Sequence, residues 1–245
     1  MWWEQVMMQK EKSPALVTWI GYLAAVMLLA LPLAVLTVRS GAWQQGLLLY
    51  AVACLGAALL LAILLVLLLL PRYAPWRGAI LGRAALALPG TLLLLLLLAN
   101  RGDHPPIHDI TTDAVDPPLF TAAEAVRGPE ANPLAIDPEV IEQQQAAYPD
   151  LDTLVTTLPI DEAFDRALAV ARELGWEIYH EDRSAGVIEA VDTTPIMGFS
   201  DDIVIRVRSN AEGTLLDLRS VSRVGVSDLG ANARRIGTFQ QAFQQ

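Results

Sequence analysis

The chain has 245 residues, 53% of them apolar, a formal net charge of −10 and a single cysteine. One cysteine excludes a disulfide framework. The acidic balance argues against a nucleic-acid partner, because phosphate binding needs clustered positive charge.

Three apolar runs come first: Leu16–Val38, Leu47–Leu70 and Ile80–Ala99. Each reaches the roughly 20 residues a helix needs to cross a hydrocarbon core. A soluble fold would have to hide three helices that are apolar on every face, so membrane spans are the simpler reading. The first run is too long for a cleavable signal peptide, and two more follow it. Pro32 and Pro89 fall inside spans, where proline is tolerated and marks kinks. Arg83 lies near the start of the third span, where it can snorkel to the interface. Trp2, Trp3, Trp19, Trp43, Tyr50, Tyr73 and Trp76 sit near span ends, as interfacial aromatics do.

Residues 1–99 hold six Lys/Arg and two Asp/Glu; residues 100–245 hold eleven Arg, no Lys and twenty-five Asp/Glu. Lys10, Lys12, Arg72, Arg77 and Arg83 flank one side of the spans, Arg39 and Arg101 the other. The positive-inside rule places the N-terminus in the cytoplasm and, after three crossings, the acidic part outside. The expectation is an integral protein of the bacterial inner membrane with a periplasmic or extracytoplasmic domain. The expected partners are the lipid bilayer and an envelope protein, peptide or glycan. The solitary Cys54 is in the second span, so the exported part relies on its core alone.

Asn100–Pro159 contains nine prolines. It reads as an extended, turn-rich connecting strap with one short helix near Pro138–Ala147. Its apolar residues Ile107, Ile110, Leu119, Phe120, Leu134 and Ile136 favour a segment lying on the domain over a free spacer. His104, His108, Asp109 and Asp113 match no established metal or acid–base spacing; local turns account for them.

Regular pattern returns at Thr153. Leu154–Leu158 reads as a short strand and Asp161–Leu174 as a helix capped by Asp161 and ended by Gly175. Four strands follow, Trp176–Glu181, Val187–Thr193, Asp202–Ser209 and Thr214–Arg223. The last helix runs from Asp228 to Phe243 behind a Ser227 cap. Asn210–Gly213 reads as a four-residue hairpin loop, which pairs Val207 with Leu216, Ile205 with Leu218, Arg206 with Asp217, Val204 with Arg219 and Asp202 with Val221. Sharing a core face between Trp176, Ile178, Ile188 and Ala190 calls for an odd-length loop around Asp182–Gly186.

The expected fold class is a membrane-anchored α+β chain. Its three membrane helices precede a small antiparallel four- to five-stranded sheet packed on two helices, in the order β-α-β-β-β-β-α. The divisions are 1–99, 100–159 and 160–245. The sheet face away from the helices displays Tyr179, Glu189, Arg206, Arg208, Asp217, Arg219 and Arg223. This face has three readings: a solvated face stitched by ion pairs, a recognition surface suited to carboxylate or phosphate, or a face covered by the strap. Glu189, Arg206, Asp217, Arg219 and Arg223 are the candidate binding residues. No catalytic residue, metal site or cofactor is expected.

One string of motifs carries a resemblance. His108-Asp109-Ile110-Thr111-Thr112-Asp113 with Asp116-Pro117-Pro118 comes first, then Tyr148-Pro149-Asp150, Gly175-Trp176, Ile188-Glu189-Ala190 and Gly198-Phe199-Ser200-Asp201-Asp202. These lead to Asp217-Leu218-Arg219-Ser220-Val221-Ser222-Arg223-Val224-Gly225 and Asp228-Leu229-Gly230-Ala231-Asn232. Over about residues 104–244 the chain resembles the bacterial domain of unknown function family number 1499. That resemblance implies no reaction, cofactor or catalytic residue.

Two functions compete. One is an exported binding or scaffold module of the cell envelope with a protein, peptide or glycan partner. The other is a hydrolase-like envelope enzyme using Asp201, Asp202, Asp217, Asp228 or His108. Transport is poorly supported by three spans with one peripheral charge.

Overall fold

The computed structural model describes residues 13–100, 102–211 and 213–245. Trp2, Trp3, Lys10, Lys12, Arg101 and Glu212, which enter the reading of topology and hairpin, lie outside the described residues. The chain divides into two units, Met1–Arg101 and Gly102–Gln245.

The first unit holds α1 (Ala15–Arg39), α2 (Trp43–Leu69), a 3-10 turn (Pro71–Trp76) and α3 (Arg77–Ala99). All three helices are long and apolar enough to cross a membrane. They remain continuous through Pro32 and Pro89. Small residues let them approach closely. A Cβ on Gly46 would fall 2.8 Å from the Ala34 carbonyl oxygen, and one on Gly90 would fall 2.7 Å from the Ala57 Cβ. Arg83 runs over Gly21, and its guanidinium donates to the Ala79 carbonyl at 2.9 Å and the Ser13 hydroxyl at 3.2 Å. The charge therefore ends beside the head of α1, as a snorkelling arginine should.

The second unit is an antiparallel sheet between two coverings. The strap supplies β1 (Asp109–Thr111), the one-turn α4 (Ala123–Val126) and α5 (Pro138–Ala147). Then come β2 (Leu154–Thr156), α6 (Ile160–Glu173), β3 (Glu177–Asp182), β4 (Val187–Thr193), β5 (Ser200–Asn210), β6 (Gly213–Ser222) and α7 (Ala231–Phe243). The order is β1-β6-β5-β4-β3, with β2 also paired to β6. The meander is the expected one. The strap lengthens it by placing β1 against Arg219–Val221 and β2 against Thr214–Leu216.

The β5–β6 register is as the alternation requires, from Asp202↔Val221 to Ser209↔Thr214. The pairing continues to Asn210↔Gly213, so the turn is tighter than the four residues expected. The β3–β4 loop departs from its expected parity. Asp182 pairs with Val187, leaving four loop residues rather than an odd number. A register shift between Ile178 and His180 restores parity, because the extra residue at Tyr179 turns the strand by one position. Ile178 then still opposes Ala190.

Two helix starts also differ from expectation. Asp161 does not cap α6; it lies inside the first turn, where its charge complements the helix dipole. α7 begins at Ala231 rather than Asp228, and Ser227 does not cap it. The Asp228 carboxylate accepts from the Gly230 and Asn232 amides at 2.8 and 2.7 Å, while the Ser227 hydroxyl accepts from the Leu229 amide.

α6 and α7 cover one sheet face. Phe164, Trp176, Ile188, Ile205, Leu218 and Phe239 are among the buried residues there. Trp176 stacks on Phe239 at 5.5 Å between ring centroids. Burial of such side chains, about 1.5–3 kcal/mol each, makes this the domain's main source of stability.

Candidate functional site

Alternation along β5 and β6 puts Asp202, Val204, Arg206 and Arg208 opposite Val221, Arg219, Asp217 and Leu215 on the second face. The strap lies over this face, and its acids meet the sheet arginines. Asp217 is fully buried. It accepts from Arg206 at 3.1 Å, Arg208 at 2.9 Å and the Thr153 hydroxyl at 2.5 Å. Arg206 and Arg208 also reach the strap's Asp113 at 3.1 and 2.7 Å, and Arg206 reaches Asp116 at 2.9 Å.

Arg219 is 1% exposed. Its fork engages both oxygens of Asp109 at 2.9 and 2.6 Å. It also donates to the Leu134 carbonyl at 2.9 Å, and the Phe120 ring lies 5.6 Å from its guanidinium carbon. A guanidinium needs this many acceptors when removed from water.

Asp202, also fully buried, lies between Arg223 and Arg127. Arg223 binds both its oxygens at 2.9 and 2.8 Å, and Arg127 from the strap binds one at 2.8 Å. The hydrogen bond to Asp202 raises the Arg223 pKa, whereas burial lowers that of Arg127. Tyr179, at the bulge, has its phenol pKa raised by burial and then by Asp202 and Glu189.

Among the described residues Glu189 forms no ion pair. Its carboxylate accepts from the amides of Thr121, Ala122 and Ala123 at 2.6, 3.0 and 2.9 Å, and from the Thr121 hydroxyl. It thereby satisfies the free amides at the start of α4.

All five candidate binding residues thus belong to one surface, and that surface faces the strap. Glu189, Asp217 and Arg219 are buried; Arg206 and Arg223 are partly exposed. The third reading of this face, sheet arginines holding strap aspartates, describes the arrangement.

The acids considered for catalysis are dispersed. Asp201 pairs with Arg235 of α7 at 2.5 Å on the helix side of the sheet. Asp228 shapes the start of α7. His108 contributes its backbone oxygen to Ser222 and Asn232. Among the described residues, no group of three His, Cys, Asp or Glu side chains is placed to hold a metal.

One cluster escaped sequence reading. Arg235 donates to Asp192 at 2.8 Å and the Ser220 hydroxyl at 3.1 Å, and it also bonds Asn232. Asn232 in turn bonds Ser220 at 2.7 Å and Ser222 at 3.0 Å. The signal was present: Ser220 and Ser222 continue the apolar face of β6 with hydroxyls, which demands polar partners on α7.

Shallow grooves remain at the rims. One of about 470 Å³ lies along the strap, lined by Thr112, Asp113, Gln144, Tyr148, Asp152 and Thr153. Another, about 350 Å³, is lined by His104, Tyr148, Leu151, Gly230 and Arg234.

A model of a protein family of unknown function, DUF1499, matches residues 109–243, more than half of the chain. The chain belongs to this family. The match begins at β1 and ends at the last residue of α7, so this DUF1499 domain includes the strap from Asp109 onward. No curated protein matches the chain.

Proposed function

We propose that the protein is a membrane-tethered binding module of the cell envelope. On this reading it is an integral protein of the bacterial inner membrane with its N-terminus in the cytoplasm. Residues 102–245 then lie on the extracytoplasmic side. The distribution of Lys and Arg beside the spans supports the orientation.

The observation favouring binding over catalysis is the use of the acids. Asp109, Asp113, Asp202, Asp217 and Glu189 all hold the strap to the sheet, Asp217 through the Thr153 hydroxyl. General acid–base work needs a carboxyl free to exchange a proton with a substrate. The outer side of the strap is then the surface offered to a partner. Its 470 Å³ groove combines an aromatic ring, Tyr148, with amide, hydroxyl and carboxylate groups, a set that suits a peptide or glycan.

Two measurements test this. Alkaline phosphatase, which folds only where its disulfides can form, is expected to be active when fused after Gln245; an inactive fusion, with an active β-galactosidase fused at the same point, overturns the orientation. A photocrosslinking residue at Gln145, beside the groove, is expected to give a discrete adduct in intact membranes. The same residue at the exposed Arg172 on α6 should not. Equal labelling at both positions counts against the groove.

A further inference from the structure

The two ends of the sheet differ in chemistry. At one end are the turns Arg183–Gly186 and Ala211, whose tips are polar or small. At the other end Thr193 pairs with Ser200 and β6 finishes at Ser222, so the β4–β5 and β6–α7 loops lie together. Three large apolar side chains are exposed here: Ile196 is 68% exposed, Val226 78% and Leu229 44%.

Leu229 is the one non-glycine residue with positive φ, +53°, among the described residues. A leucine in left-handed backbone is disfavoured. The hydrogen bonds from the Leu229 amide to Ser227 and from the Gly230 amide to Asp228 hold this turn, and the apolar side chain projects outward. An unfavourable backbone and an exposed apolar group coincide at one residue, a combination that points to a function for the turn.

This is also the end at which the chain arrives. The Pro105 carbonyl accepts from Ser227, and the Ile107 carbonyl accepts from the Asp228 amide at 3.1 Å. α3 ends at Ala99, so only residues 100–103 separate it from His104. An extended chain advances about 3.6 Å per residue, which limits that separation to about 18 Å. The end of the domain that carries Ser227 and Asp228 is thus the end joined to α3 by the shortest stretch of chain.

We propose that the loop end carrying Ile196, Val226 and Leu229 inserts its side chains into the interfacial region of the bilayer from which the chain emerges. Lipid is the occupant that the short tether supplies at high effective concentration, so a few weak apolar contacts suffice. The domain is acidic, and attraction to anionic headgroups does not contribute. Docking is therefore apolar, insensitive to salt and satisfied by zwitterionic lipid.

The inference rests on the membrane-anchored reading, and one experiment separates the two. The full chain, with Cys54→Ala, is placed in phosphatidylcholine vesicles with a nitroxide on a single new cysteine. Collisions with oxygen, which partitions into lipid, are compared with collisions with a water-soluble nickel chelate. Val226→Cys and Ile196→Cys are expected to favour oxygen several-fold over Val115→Cys. Val115 is 95% exposed beside the Arg206–Asp116 pair. Leu59→Cys, on an exposed face of α2, reports the anchor.

Lipid contact at Leu59 with a water-like signal at 226 and 196 overturns the docking alone. A water-like signal at Leu59 overturns the anchoring and the docking with it. Protection from both reagents at 226, with spin–spin broadening, identifies a second copy of the chain and also overturns lipid docking. Val226 and Ile196 are exposed, so these substitutions leave the core intact.

Discussion

Arg219 of β6 and Asp109 of β1 form a two-pronged ion pair inside the domain, at 2.9 and 2.6 Å, with the arginine 1% exposed. The pair joins residues far apart in sequence and fixes the strap to the sheet. Removing one partner leaves the other charge buried without compensation, which costs about 3–5 kcal/mol. Arg219→Ala is therefore expected to lower the unfolding free energy by that amount in chemical denaturation. Replacing both residues with apolar ones, Arg219→Met with Asp109→Leu, is expected to recover most of the loss. A double variant no more stable than Arg219→Ala would show that the pair is needed for more than burial.

Glu189 makes a separate prediction about the strap. Its carboxylate accepts from three consecutive amides, those of Thr121, Ala122 and Ala123. Leaving a buried donor unsatisfied costs about 1–3 kcal/mol. Glu189→Ala is expected to speed hydrogen exchange at these amides by at least tenfold, while amides in the β5–β6 ladder change little. Uniform acceleration throughout the domain would show that the strap and sheet open as one unit.

These two residues show what was legible in the sequence. Period-2 alternation and turn chemistry placed Arg219 and Glu189 on the same sheet face and set the register of β5 and β6. The spans were legible for the same reason: length and hydropathy act locally. The partners were not legible, because Asp109 and the Thr121 amide come from an irregular, proline-rich segment with no period to read. The bulge at Tyr179 was missed because an inserted residue leaves the apolar pattern of β3 looking regular. The start of α7 was misread because Ser227 has the chemistry of a cap, whereas the Asp228 carboxylate closes the turn and the helix begins only after the left-handed Gly230.

Gly186 is constrained by space as well as backbone. Its φ is +67°, and an added Cβ would lie 2.1 Å from the Val207 carbonyl oxygen. The Val207 amide also donates to the Gly186 carbonyl at 2.7 Å, so the strand cannot move aside without losing a bond. Gly186→Ala is expected to destabilise the domain by more than about 1 kcal/mol. Gly128→Ala, where a Cβ meets nothing within 4 Å, is expected to leave the melting temperature unchanged.

Tyr179 predicts how the domain responds to alkali. Burial, then Asp202 and Glu189, raise its phenol pKa above the ordinary value of 10.0, against the opposing effect of Arg223. Above that pH the unfolded chain releases the phenolic proton while the folded chain retains it. The folded state then binds more protons, so stability falls as pH rises, by at most about 1.4 kcal/mol per pH unit for one group. Below pH 10 the phenol is neutral in both states and this dependence vanishes. Tyr148, its pKa raised by burial and Asp228, acts in the same direction. Tyr179→Phe is therefore expected to reduce the loss of stability between pH 10 and 11 without abolishing it. Denaturation midpoints at pH 8, 10 and 11 measure this. An unchanged slope in Tyr179→Phe would mean that the phenol ionises as readily in the folded chain as in the unfolded one.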